Sequence, residues 1–227
     1  MKKIFLLLII LLVAITNICL AGDPPDNSPV ALVKKIVKDV TYKKVGQSDW
    51  EVAKTGTPLR DGEQVKTGAN SLALVLFTDG SGLLRVRENT VLNIYGAKDG
   101  KKMNKNTFIE KGKLGFEVNK QEDDEFKFTT PTAVASIRGT AGLFKVDSLG
   151  TTLVGIEGLI DVSCPYDPSK HGQLQPGQTV YLNKNCELEI NPTSETDKKD
   201  YVDTKKTINK KVKIKTSYGD IEIEYYQ

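Results

Sequence analysis

From Val30 onward the chain alternates apolar and polar positions with a period of two, in short runs broken by glycine, proline and Asp-Gly steps. Ala31–Val37 and Val40–Val45 are Val- and Lys-rich strand candidates. Ser71–Phe77 (SLALVLF) is apolar at both parities, which predicts a strand covered on both faces at the centre of a sheet. Gly82–Arg87 and Val91–Tyr95 alternate cleanly. Leu84, Val86, Leu92 and Ile94 are expected to face inward, and Arg85, Arg87 and Asn93 outward. Phe126 and Phe128 share one side of the next run. Leu143–Val146, Thr152–Ile156 and Leu159–Val162 repeat the pattern, with Glu157-Gly158 read as a tight turn between the last two. About fifteen short strands with turn signals every 8–12 residues, and no amphipathic helical stripe, predict an all-β fold. Sandwich, jelly roll and β-solenoid all satisfy that pattern.

Between the runs lie segments of other character. Gly96–Asn106 (GAKDGKKMNKN) is a lysine-rich stretch read as a solvated loop rather than a contact for an anionic partner. Gln121–Glu125 (QEDDE) is an acidic loop, without the ligand spacing of a calcium site. Ser163–Gln178 reads as a loop, followed by a pairing of Thr179–Leu182 with Glu187–Ile190. The segment 193–211 is charged and poor in apolar residues, hence a linker or a weak, exposed helix. The end, 212–227, is a β-hairpin. Val212 and Ile214 oppose Ile221, Ile223 and Tyr225, and Lys213 and Lys215 oppose Glu222 and Glu224. An isolated hairpin is marginal in water, so this one should dock on the main sheet or on a partner.

The N-terminus changes the compartment. Lys2-Lys3, the apolar run Ile4–Ile15 and Cys19-Leu20-Ala21 make up a signal peptide over 1–21, with a Pro-rich leader over 22–29. The run is too short for a membrane span. Cleavage after Ala21 is preferred over lipidation at Cys19, because Asn17 and Ile18 fit a lipidation site poorly. The expected location is therefore the periplasm or the cell surface. In an oxidising compartment the remaining pair, Cys164 and Cys186, favours a disulfide over two buried thiols.

Charge and chemistry narrow the function. The net charge is +3, and Lys2 and Lys3 account for two of it, which argues against nucleic-acid binding. The single His171 leaves no histidine metal site and little scope for a Ser-His or Cys-His pair. No cofactor motif is present, and a carboxylate-based hydrolase has no positive support. The one tryptophan, Trp50, reads as a core anchor rather than a ligand platform.

Several of these signals fall in a fixed order. Trp50 precedes a G-x-x-L-x-x-G-x-x-V-x-T-G element carried by Gly56, Leu59, Gly62, Thr67 and Gly68. An apolar strand then ends on Asp79-Gly80-Ser81. Later come Thr130-Pro131-Thr132-Ala133-Val134-Ala135-Ser136-Ile137-Arg138-Gly139-Thr140 and a strand leading to Glu157-Gly158. This order resembles the FecR-type periplasmic domain from about Val33 to Val162. The resemblance implies an all-β exported domain, here over 30–192. Its best-understood members receive a signal from an outer-membrane transporter and control a sigma factor, using a cytoplasmic segment and a membrane span not recognised in this sequence. What carries over is a non-enzymatic module for an envelope protein partner. The alternative is a cell-wall or glycan-binding module, with Tyr166, Tyr181, Tyr218, Tyr225 and Tyr226 as stacking surfaces. The motif glycines are expected to serve turns. Arg138 is expected to hold its turn by pairing with a carboxylate or backbone carbonyls, in preference to touching a partner.

Overall fold

The computed structural model describes residues 28–99, 102–120, 126–206, 209–216 and 219–226. The expected signal peptide, most of the expected leader and the acidic stretch 121–125 lie outside them. Seventeen strands and one helix are present among the described residues. The strands are β1 (Ala31–Val37), β2 (Val40–Lys43), β3 (Glu51–Val52), β4 (Pro58–Leu59), β5 (Gln64–Thr67), β6 (Leu72–Phe77), β7 (Gly82–Val86), β8 (Val91–Asp99), β9 (Lys102–Val118), β10 (Phe126–Thr129), β11 (Val134–Val146), β12 (Gly150–Ser163), β13 (His171–Leu174), β14 (Gln178–Asn183), β15 (Leu188–Pro192), β16 (Asn209–Thr216) and β17 (Gly219–Tyr226). The helix α1 (Glu195–Lys205) follows β15.

The first fifteen strands form one mixed sheet, and its pairings resolve into two layers. Layer one runs β3-β2-β5-β8, then the N-terminal part of β9, β10, the N-terminal part of β11, the C-terminal part of β12, and β13. Layer two runs β4-β1-β6-β7, then the C-terminal part of β9, the C-terminal part of β11, the N-terminal part of β12, β14 and β15. Three long strands thus cross from one layer to the other. Each turns at a glycine with positive φ: Gly112 at +107°, Gly139 at +65° and Gly158 at +73°. A left-handed backbone at these positions is open to glycine and costly for other residues. Gly139 and Gly158 sit together in the β11–β12 ladder, where the register shifts between Arg138 and Ala141. A Cβ on Gly158 would lie 2.4 Å from the Gly139 carbonyl oxygen.

The core fills the space between the layers. Phe126 and Phe128 of layer one meet Phe77, Phe116 and Phe144 of layer two, with ring centroids 4.9 Å apart for Phe77–Phe126 and 5.0 Å for Phe116–Phe128. Leu84, Val86, Leu92 and Ile94 are buried, as their alternation predicts. Cys164 and Cys186 are bridged, with Cα atoms 5.6 Å apart. Cys164 follows β12 in layer one and Cys186 lies in the β14–β15 turn of layer two, so the bridge clasps the two layers at one end.

Several sequence expectations need correction. Arg138-Gly139-Thr140 and Glu157-Gly158 are bends inside continuous strands, not turns between strands, because the ladder resumes on both sides of the bulge. The stretch 96–106, expected as a loop, belongs largely to the β8–β9 hairpin, in which Tyr95 pairs with Asn106 and Gly96 with Lys105. β13 lies in the stretch expected as the 163–178 loop. Trp50 is only partly buried and does not belong to the core. The ammonium groups of Lys43 and Lys66 approach its ring, 5.1 and 5.3 Å from the centroid.

The segment expected as a linker or exposed helix is helical and packs on the sheet, with Tyr201 and Thr204 buried. The Ser194 hydroxyl caps the helix, accepting from the Asp197 backbone N–H at 3.1 Å. Tyr201 packs with Ala141, Leu143, Val154 and Ile156 on the outer face of layer two. Gly115 leaves room for Thr204, whose Oγ1 would lie 2.6 Å from a Cβ at that position. Lys145 pairs with Asp197 at 2.5 Å and Asp200 at 3.2 Å, and Lys205 with Glu117 at 3.0 Å. An eleven-residue helix is marginal alone, so these contacts hold it. A buried tyrosine and pairings contributed by the sheet carry no helical period, which is why the sequence pattern did not show a docked helix.

Candidate functional site

The motif residues divide into those that build the frame and those that face outward. The Thr67-Gly68 pair builds frame. The Thr67 hydroxyl donates to the Arg87 carbonyl and accepts from the Thr90 N–H at 3.1 Å, while the Gly68 N–H donates to the Asp39 carbonyl at 2.9 Å. Gly56 and Gly62 adopt positive φ, at +89° and +77°. Leu59 is fully buried.

Asp79-Gly80-Ser81 closes the β6–β7 turn. Asp79 Oδ1 accepts from the Ser81 N–H at 2.9 Å, and its Oδ2 lies 2.6 Å from Lys105 Nζ, whose side chain is 0% exposed. Lys105 also donates to the Met103 carbonyl at 3.0 Å. Burial pushes the Asp79 carboxyl upward, but the bonds from Lys105 and Ser81 outweigh it and hold it below the ordinary range. A lysine from the stretch expected to be a solvated loop is therefore a buried pin. No sequence signal separates it from its exposed neighbours.

Thr130-Pro131-Thr132 joins β10 to β11. The Thr130 hydroxyl accepts from the Ala133 N–H at 2.8 Å and lies 2.7 Å from the Thr151 hydroxyl, which is also 2.7 Å from that of Thr132. Thr151 belongs to the layer-two part of β12, so this buried hydroxyl cluster joins the layers. Thr140 is buried beside the Gly139 bend.

What faces outward is the open side of layer one. Alternation puts two cross-strand rungs on it. The first runs Asn93, Phe108, Thr129, Val134, Ser163, His171, and the second Tyr95, Asn106, Lys127, Ser136, Asp161, Gln173. All are partly or fully exposed, whereas their strand neighbours point into the core. The Gln173 amide donates to Asp161 at 2.8 Å, Thr129 donates to Asn106 at 2.9 Å, and the Asn93 amide donates to the Tyr95 hydroxyl at 3.3 Å. A shallow hollow of about 540 Å³ opens at the end of the rungs, between Ser136, Asp161, Ser163 and His171. Arg138 is exposed one step further along the same face, opposite Leu159, which is 48% exposed. The face combines hydroxyl, amide and aromatic groups with few charges.

This face gathers Arg138 and His171 but not the tyrosines considered for stacking. Tyr166 is 75% exposed in the loop after β12, and Tyr181 lies on β14 in layer two. Tyr218 and the side chains of Tyr225 and Tyr226 lie outside what is described. Among the described residues no three His, Cys, Asp or Glu side chains gather as a metal-ligand set, and no helix is long and apolar enough to cross a membrane.

The comparisons agree with this architecture. The family described as FecR protein matches residues 63–161, leaving Trp50, Gly56, Leu59 and Gly62 outside the matched span. No curated protein matches the chain. Two crystal structures of a protein from Parabacteroides distasonis ATCC 8503, described as a "putative anti-sigma factor", are similar in fold, at 1.65 and 2.50 Å resolution. Each has a TM-score of 0.52 and 16% identity over 61% of this chain. The alignment spans 64% and 63% of those chains, under two thirds of their length. The ordered motif, the two-layer fold and the family match fall on the same part of the chain, and residues 63–161 are similar to the FecR protein family.

Proposed function

We propose that the chain is an exported, non-enzymatic interaction module that binds an envelope protein in a signalling or scaffolding role. The observation that carries this reading is the open face of layer one, where two rungs of hydroxyl, amide and aromatic side chains cross six strands without a covering element among the described residues. Such a face offers hydrogen-bond partners on a rigid, β-paired scaffold, and few of its groups carry the desolvation cost of a full charge. The similarity to the FecR protein family and the likeness to structures described as anti-sigma factors support a protein partner.

The test is capture from envelope extract by the mature chain, Gly22–Gln227, beside a variant carrying Phe108→Ala and Asp161→Lys. Both substitutions lie on the open face, outside the buried core clusters. One protein retained at constant stoichiometry by the parent and lost from the variant is the expected result. Retention of wall polysaccharide with no protein would replace this reading with the glycan-binding one.

A further inference from the structure

The outer side of layer two has two parts. α1 covers the part formed by β9, β11 and β12. On the part formed by β1, β6 and β7 four outward residues are leucines, with Lys35 and Arg85 paired on either side of Leu74. Leu32 pairs with Leu76, Leu76 with Leu83, and Leu74 lies on the same side of β6. Leu32 is 37% exposed, and Leu74, Leu76 and Leu83 are only partly buried. None of the four belongs to either buried cluster. Four leucines on one outer sheet face form an apolar stripe that water disfavours.

The C-terminal hairpin has the complementary need. Its register places Val212 opposite Ile223 and Ile214 opposite Ile221 on one face. Lys211 opposite Glu224, Lys213 opposite Glu222 and Lys215 opposite Asp220 fall on the other. Alternation along the two strands groups lysines with acidic residues on one face and Val212, Ile214, Ile221 and Ile223 on the other. A two-stranded sheet with an uncovered apolar face is marginal alone.

The tether brings the two together. α1 runs from Lys145 of β11 across β9 toward β7. At its end the Arg87 guanidinium, just past β7, donates to the Lys206 carbonyl at 2.9 Å. β16 begins at Asn209, three residues on, a reach of at most about 11 Å. The hairpin therefore starts beside β7, at the border of the leucine stripe.

We propose that the apolar face of the β16–β17 hairpin lies on the Leu32, Leu74, Leu76 and Leu83 face of layer two, completing the cover that α1 begins. Layer one is then the only side left open for a partner. The occupant is this chain's own C-terminus. The inference does not depend on what the open face binds.

The test places a photoreactive benzoyl-phenylalanine at position 76 of the mature chain and maps its adducts by mass spectrometry. Adducts to residues 209–226 of the same chain are expected. Adducts confined to other segments overturn the proposal, and adducts joining two copies overturn it in favour of a second copy as the occupant. Hydrogen exchange on Leu76→Asp and Ile223→Asp supplies the second readout. Each is expected to speed exchange in 209–216 and 219–226 by about tenfold, with no further gain in the double variant. Exchange in β11 should be unchanged, which separates release of the hairpin from unfolding. Unchanged hairpin exchange in both variants would overturn the proposal.

Discussion

At Gly158 the backbone adopts φ +73° and a Cβ would strike the Gly139 carbonyl oxygen at 2.4 Å. Gly80 has nearly the same φ, +74°, but open space around it. The pair separates two costs of replacing a glycine. Gly80→Ala should lose about 1 kcal/mol, for the left-handed backbone alone. Gly158→Ala should lose about 3 kcal/mol or more, because steric conflict adds to strain at the point where β11 and β12 change layers. Urea denaturation of both variants measures the difference, and equal losses would mean that the bend is not a packing constraint. The buried Lys105 makes a second residue-scale contrast. Asp79→Ala leaves the ammonium buried without its carboxylate and should cost about 3 kcal/mol, whereas Lys105→Met should stay within about 1 kcal/mol of the parent. The reverse order would show that the pair stabilises the fold beyond the cost of burying it. Neither residue is marked in the sequence as a member of a buried pair. Asp79 stands in a turn motif, and Lys105 among other lysines.

At the scale of the element, α1 is held by charge as much as by apolar contact. Burial pushes the Asp197 carboxyl upward, but Lys145 and Ser194 overcome this and hold it below its ordinary value of 3.8. Burial pushes the Lys145 ammonium downward, but Asp197 and Asp200 raise it above 10.5. A lowered carboxylate contributes stability above its unfolded pKa, lost as the pH falls through the folded one. A raised ammonium contributes below its unfolded pKa, lost as the pH rises through the folded one. Docking of α1 should therefore hold from about pH 5 to pH 10 and weaken below about pH 4. Hydrogen exchange over 195–205 at pH 7 and pH 3.5, corrected for intrinsic rates, should show that loss ahead of any change in β11. Protection that does not change with pH would assign the docking to Tyr201 alone.

At the scale of the whole molecule, the two layers are joined by three bent strands and clasped at one end by Cys164–Cys186. Reducing the bridge reopens a 22-residue separation and should cost about 3 kcal/mol on the chain-entropy model. Thermal unfolding with and without reductant measures this, and an unchanged midpoint would mean that the bent strands suffice. The joined layers also set the functional geometry. Layer one can present one broad, rigid face because α1, and by our proposal the hairpin, occupy the opposite side.

The order of the strands, the inward face of each alternating run, the bridged cysteines and the FecR motif were all legible in the sequence, because each rests on local spacing or on residue type. The partition into two layers was not. A glycine that bends a continuous strand and one that ends it look alike in sequence, and only the cross-strand partners on each side tell them apart. Nor could spacing show that Lys105 is buried, that Trp50 lies outside the core, or that a charged segment docks as a helix. Each depends on what a distant part of the chain supplies: the carboxylate of Asp79, the ammonium groups of Lys43 and Lys66, the lysines of the outer sheet face. The open face on layer one is a tertiary product for the same reason. Its rungs draw two residues from each of six strands, too few in any one strand to leave a pattern, and they align only when the ladder register brings them together.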